Sequence, residues 1–177
     1  ARMRDADPQV SVRGRDELVE PLACEGVTVA FRAALGQALE PSLRESVRSS
    51  DARQAANALL IMGRVKSSAS ASILRLGLED SRAPVRLAAA AGYKELLMPP
   101  LAGLPDRTIE PILTQLGQAL AKEVDPRVAD VIIAALDAAR ATDTLRARAN
   151  TQIVDGLTAR VREVRAGDST GAWAPAI

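Results

Sequence analysis

Apolar residues recur along this chain with a helical period, and the periodic stretches are separated by Pro, Gly, Ser and Asp. The first stretch, DPQVSVRGRDELVEPL (7–22), offers Asp7 as an N-cap and Pro8 at the first helical position, where a missing N–H costs nothing. Val12, Leu18, Val19 and Leu22 are spaced for its buried stripe, with Gly14 and Pro21 interrupting the pattern. EGVTVAFRAALGQALE (25–40) carries Val27, Phe31, Leu35 and Leu39, an i, i+4 ladder. Pro41 ends that helix or opens a short following element, PSLRESVR.

A third block, SSDARQAANALLIMGRV, takes Ser50 or Asp51 as its cap and turns Ala52, Ala55, Ala56, Leu59 and Leu60 inward. SSASASILRLGLE follows, capped by Ser67 or Ser68, with Ile73, Leu74 and Leu76 inside. SRAPVRLAAAAGYKELLM holds a small-residue run from Ala88 to Gly92, and PPLAGLPD (99–106) breaks the pattern as the longest connector. Beyond it Ile109, Leu113, Leu116 and Leu120 mark one helix, and Val128, Val131, Ile132, Ala135 and Leu136 mark the next. The last stretch has Leu145, Ala149, Ile153, Leu157, Val161 and Val164 along one face, with Gly167 as its stop. The division is a helical domain over 1–167 and a flexible tail over 168–177, where Trp173 and Ile177 are the large apolar residues.

Composition sharpens this into an all-α expectation. Aromatic residues are 2% of the 177, namely Phe31, Tyr93 and Trp173. A core without rings is built from Leu, Ile, Val and Ala, which suits close-packed helices better than sheets. The net charge of +1 provides no global field to attract nucleic acid or an acidic membrane. No uninterrupted apolar run reaches membrane-spanning length. The single cysteine, Cys24, rules out an intrachain disulfide and reads as a buried, inert thiol beside an apolar stretch. The compartment is not fixed by these features, with the cytoplasm the default. The start at Ala1 is compatible with a removed leader or upstream region.

The helix starts repeat. Asp7-Pro8-Gln9-Val10 and Asp125-Pro126-Arg127-Val128 match at three of four positions and lie 118 residues apart, three units of about 39. Between them APVRLAAAAG (83–92) has the same chemistry, and DARQAANALL (51–60) aligns with it so that Arg53 falls on Arg86. Four first helices, starting near residues 8, 51, 84 and 126, each followed by a second, make about four helix pairs. At these residues the chain resembles the HEAT-repeat family, in particular the bacterial type whose Ala-rich helix follows a Pro-x-Val-Arg-like start. Repeats one and four lack the Val85-Arg86 pair, having Ser11 and Ala129 after their valines. The same Asp-Pro starts also occur in irregular helical bundles.

The resemblance implies a short right-handed α-solenoid whose second helices line a concave face that binds other macromolecules. Polar positions on those helices, Arg32, Gln37, Arg75, Gln115, Gln118, Arg148 and Gln152, are the candidate lining. A protein or peptide is the expected partner. Two alternative readings of the resemblance are a nucleic-acid-binding protein of the alkylpurine DNA glycosylase type, which the few aromatics and low charge disfavour, and a bilin lyase or other enzyme subunit; the chain matches no active-site or chromophore-handling residue of either.

Catalytic chemistry is sparse. The chain has no histidine, which removes Ser-His-Asp and Cys-His catalysis, HExxH sites and most catalytic zinc sites. It has neither GxxxxGK[ST] nor GxGxxG, so no cofactor is expected. Asp5 and Asp7 form a DxD, but Asp7 reads as a cap. Glu79-Asp80 reads as a turn and cap before Ser81, and Lys66-Ser67-Ser68 as a capped helix start rather than an anion site. The last helix is basic through Arg146, Arg148, Arg160, Arg162 and Arg165, which suits a solvated outer face and the helix C-terminus more than a face for an acidic partner or a phosphate backbone.

Overall fold

A computed structural model describes residues 7–24, 26–101 and 104–165. Among these the secondary structure is helical throughout, with no strand. The helices are α1 (Pro8–Val19), α2 (Val29–Val47), α3 (Ala52–Val65), α4 (Ser68–Leu78), α5 (Ala83–Leu97), α6 (Asp106–Lys122), α7 (Pro126–Ala139) and α8 (Asp143–Arg165). A 3-10 turn, Glu20–Ala23, follows α1. The tail, Trp173 and the expected stop at Gly167 lie outside the described residues.

The caps form where the side chains demand them. Asp7 accepts from the Gln9 N–H at 2.8 Å, Asp51 from Arg53 at 2.9 Å and Asp125 from Arg127 at 2.9 Å. Each such cap is worth about 1 kcal/mol. Ser67 and Ser70 close a reciprocal box at the start of α4. Asp80 accepts from the Arg82 N–H at 2.8 Å in the turn ahead of α5, but it does not cap the helix: Arg82 is the N-cap and no side chain bonds the first-turn N–H groups.

Alternate helices carry most of the packing. α1 lies on α3, α3 on α5 and α5 on α7, while α2 packs on α4 and α6 on α8. Leu59, Ile61 and Met62 of α3, Leu96 and Leu97 of α5, and Ile109, Leu113, Leu116 and Leu120 of α6 are fully buried. Each contributes roughly 1.5–3 kcal/mol. Two glycine contacts set the closeness of approach. A Cβ on Gly63 would stand 2.5 Å from the Gly92 Cα, and one on Gly156 would stand 3.0 Å from the Gly117 carbonyl oxygen. By contrast α4 and α6 touch only lightly. The groove described below lies between them.

Several expectations are corrected. Val12 is exposed, and Ser11 is buried instead, its hydroxyl accepting from the Asn57 amide at 2.8 Å. Ser11, Gly14, Leu18, Val19 and Leu22 form the inner stripe. Phe31 is 44% exposed. Gly36, Leu43, Ser46 and Val47 make the buried side of α2, and Leu35 and Leu39 are only half-buried.

Pro41 neither ends nor starts a helix, because α2 runs through it to Val47. It lies on the exposed side, where water can satisfy the carbonyl that its ring leaves unbonded. Cys24 is exposed: Leu22 takes the inward position at the end of the 3-10 turn, and the chain then leaves the packed layer. On α8, Leu145 and Ala149 are buried and Ile153 is half-buried, whereas Leu157 and Val161 are exposed. Beyond Gly156 no described side chain of α8 is buried, since α6, which covers its first half, ends at Lys122.

Candidate functional site: a groove along α6

The buried stripe of α6 leaves a polar face with the complementary spacing. Arg107, Glu110, Thr114, Gln118 and Lys122 succeed one another at three- or four-residue intervals, so they lie along one side of the helix. Because α4 stands off from α6, this side faces an open trough. Its main part, about 630 Å³, is bounded by Arg75 and Glu79 at the end of α4, the α6 residues from Arg107 to Gln118, and Arg148 of α8. A second hollow of about 390 Å³ continues it past Glu79, Gln115 and Gln118 to Arg86, Lys122 and Glu123.

Four of the seven polar positions singled out in the sequence therefore meet in one groove: Arg75, Gln115, Gln118 and Arg148. The other three lie outside it. The Arg32 guanidinium donates to the carbonyls of Arg64 at 2.9 Å, Val65 at 3.4 Å and Leu22 at 3.3 Å, closing the C-terminus of α3. Gln37 is exposed on α2. Gln152 is half-buried and packs where a Cβ on Gly117 would be. Arg107, Glu110 and Lys122 also line the groove and are not among the seven sequence candidates. Their helical register with Gln115 and Gln118 was the available signal.

Charge in the groove is partly committed. Arg148 forms an ion pair with Glu110. Arg86 donates to both Glu123 oxygens, at 2.8 and 2.9 Å, and to the carbonyls of Asp80 and Ser81. Burial alone would raise the Glu123 pKa. The Arg86 fork and the N–H groups of Asp125 and Val124 together outweigh it and hold this carboxyl below its ordinary value. Arg75, Arg107 and Lys122 form no ion pair with any described residue. Among the groove's carboxylates this leaves Glu79 alone without an ion pair to a described residue.

Gln115 forms part of both hollows. Its Oε1 lies 3.1 Å from the Tyr93 hydroxyl, which also lies 3.2 Å from the Ala71 carbonyl. One hydroxyl proton cannot serve both acceptors fully. With the amide turned over, Nε2 would donate to Tyr93 and the hydroxyl proton would go to Ala71. In the orientation described, Nε2 is covered and has no partner. In the other, Oε1 occupies that unmet position. Burial pushes the Tyr93 phenol well above its ordinary pKa, so it stays a neutral hydroxyl.

The remaining candidates are in internal use. Lys66 takes the left-handed backbone conformation at φ +52° and donates to the Met98 carbonyl at 2.7 Å. Desolvation lowers its pKa, with Arg32 adding to that and Glu95 opposing it. Ser67 and Ser70 face each other at 3.3 Å. No cluster of three or more acidic or cysteine side chains is placed to hold a metal ion among the described residues, and none of the described helices is long and apolar enough to cross a membrane.

No protein-family model matches the chain, and no curated protein matches it.

Proposed function

We propose that this protein is a non-enzymatic binding module, a short right-handed α-solenoid of the HEAT-like kind that holds a segment of another protein along α6. The observation that carries this reading is the convergence of Arg75, Gln115, Gln118 and Arg148, from three helices, on one open groove. The near-regular helix starts and the serial packing of α1, α3, α5 and α7 support the repeat assignment. Macromolecular binding is the common use of such stacked helix pairs.

A photo-crosslinking amino acid at Gln118 tests the reading, with the same group at exposed Arg53 of α3 as the control. Capture of one identified protein at Gln118 and not at Arg53, lost when Arg75 and Arg148 are also replaced with Ala, is the expected result. Capture at both positions alike, or undiminished capture by a variant with only Arg75 and Arg148 replaced by Ala, would refute it.

A further inference from the structure

We infer that the occupant of the α6 groove is an extended acidic peptide segment of a partner protein. This rests on the binding-module reading above and adds the partner's shape and charge.

Shape comes from the helix. The lining runs from Arg107 to Lys122, which is about 22 Å along the axis at 1.5 Å per residue. A trough of that length matches roughly seven residues of extended chain at about 3.3 Å each. It is long and open, with side chains from four helices arranged along it. A compact small molecule would leave most of this length empty.

Charge follows from which partners are already taken. Glu110 and Glu123 are answered by Arg148 and Arg86 within the protein. Arg75 and Arg107 flank the main hollow and Lys122 the second, and none of these three has an ion-pair partner among the described residues. Against them stands Glu79. The groove thus offers more uncommitted cations than anions, on a chain whose total charge is close to neutral. Two or three carboxylates spaced along an extended segment complement it. A nucleic-acid backbone, with a phosphate at every nucleotide, would meet the unpaired Glu79 and no aromatic ring among the residues lining the groove.

Gln115 fits a peptide in particular. Its amide has one unmet end in either orientation, and a peptide bond carries both a carbonyl and an N–H. Rotation of the side chain into the groove would pair that end.

The test is an array of octapeptides that differ only in the number and position of Asp and Glu among Ser, Gly and Leu. Binding to the whole chain is read by fluorescence anisotropy at low and at physiological salt. Affinity is expected to rise with acidic content and to fall with salt. It should weaken at least tenfold in Arg75→Glu/Arg107→Glu, persist in Arg75→Lys/Arg107→Lys, and be untouched by Arg53→Glu. Equal binding of neutral octapeptides at this groove overturns the acidic specificity and leaves the binding-module reading standing. Binding of a dT12 oligonucleotide in place of the acidic peptides overturns the peptide assignment. Absence of any peptide binding together with absence of a crosslink at Gln118 overturns both.

Discussion

The Arg86 guanidinium and the Glu123 carboxylate meet in a fork, Nε to Oε2 at 2.8 Å and Nη2 to Oε1 at 2.9 Å. The two residues are 37 apart in sequence, and the fork ties the first turn of α5 to the turn that opens α7. Glu123 Oε1 also accepts from the Asp125 N–H at 2.9 Å, so the same carboxylate orders the cap of α7. Both side chains are largely covered, at 16% and 4% exposure. Removing one partner strands the other charge, so Arg86→Ala is expected to lower the unfolding free energy by about 3 kcal/mol in urea titrations. Replacing both, as Arg86→Met/Glu123→Leu, should recover most of that loss, to within about 1 kcal/mol of the parent. A single-substitution cost below about 1 kcal/mol would show that the fork is dispensable.

Acid should weaken the fold through the same residues. The Glu123 carboxyl is held below its ordinary 4.5. Asp80 is held below 3.8, chiefly by the Arg82 side chain, and Asp125 is drawn down to about 2, chiefly by Arg127. A folded-state pKa below the unfolded value gives stability that is present above the unfolded pKa and lost as pH falls through the folded one. The urea midpoint should therefore be level above about pH 5 and decline below it. In Arg86→Ala the decline should be shallower, because the part of the Glu123 contribution that Arg86 supplies is already gone. The Asp125–Arg127 part should shrink in high salt, because Arg127 is well exposed. A profile in Arg86→Ala as steep as in the parent would contradict the assignment to Glu123.

Two glycines on the packed faces should respond in opposite ways to alanine. At Gly63 a new Cβ meets main chain, 2.5 Å from the Gly92 Cα and 2.7 Å from its carbonyl oxygen, so α3 and α5 would have to separate. Overpacking of about 3 kcal/mol set against a helix-propensity gain of about 1 kcal/mol leaves a net loss near 2 kcal/mol. At Gly117 the nearest atom is the far end of the Gln152 side chain, which can swing away, and the Gln152 Cβ at 3.1 Å requires α8 to give by only a few tenths of an ångström. Gly117→Ala should be neutral or stabilise by up to about 1 kcal/mol. Thermal unfolding followed by circular dichroism would distinguish the two, and equal effects would argue against the backbone contact.

The pattern of these effects also explains what could be read from the sequence. Caps and buried stripes are local, so Asp7, Asp51 and Asp125, and the α6 stripe Ile109, Leu113, Leu116 and Leu120, were legible from spacing and residue type. The facing of α1 was not, because its inner side is defined by contacts with α3, among them the bond of Ser11 to Asn57, 46 residues away. Phe31 and Leu157 fit a helical period but have no neighbouring element to cover them fully. Arg75, Gln115, Gln118 and Arg148 were recognisable as polar positions on second helices. Their convergence depends on the light contact between α4 and α6, a tertiary fact with no local signature. Arg32 has the same residue type as Arg75 and a different use, since main-chain carbonyls of α3 occupy it.

Gln115 is where stability and binding should part. Gln115→Met removes one hydrogen bond with Tyr93, worth about 1 kcal/mol, and also the unmet amide end, whose burial costs about 1–3 kcal/mol. Tyr93 keeps the Ala71 carbonyl as its acceptor, at 3.2 Å. The variant should therefore be as stable as the parent or up to about 1 kcal/mol more so. Tyr93→Phe has the opposite balance: it leaves Gln115 without its remaining described partner and should cost about 1–2 kcal/mol. If the groove uses the amide to hold a peptide, Gln115→Met will bind acidic octapeptides more weakly while unfolding no earlier. A stability loss above about 2 kcal/mol in Gln115→Met would mean that the side chain is structural and its unmet end inconsequential.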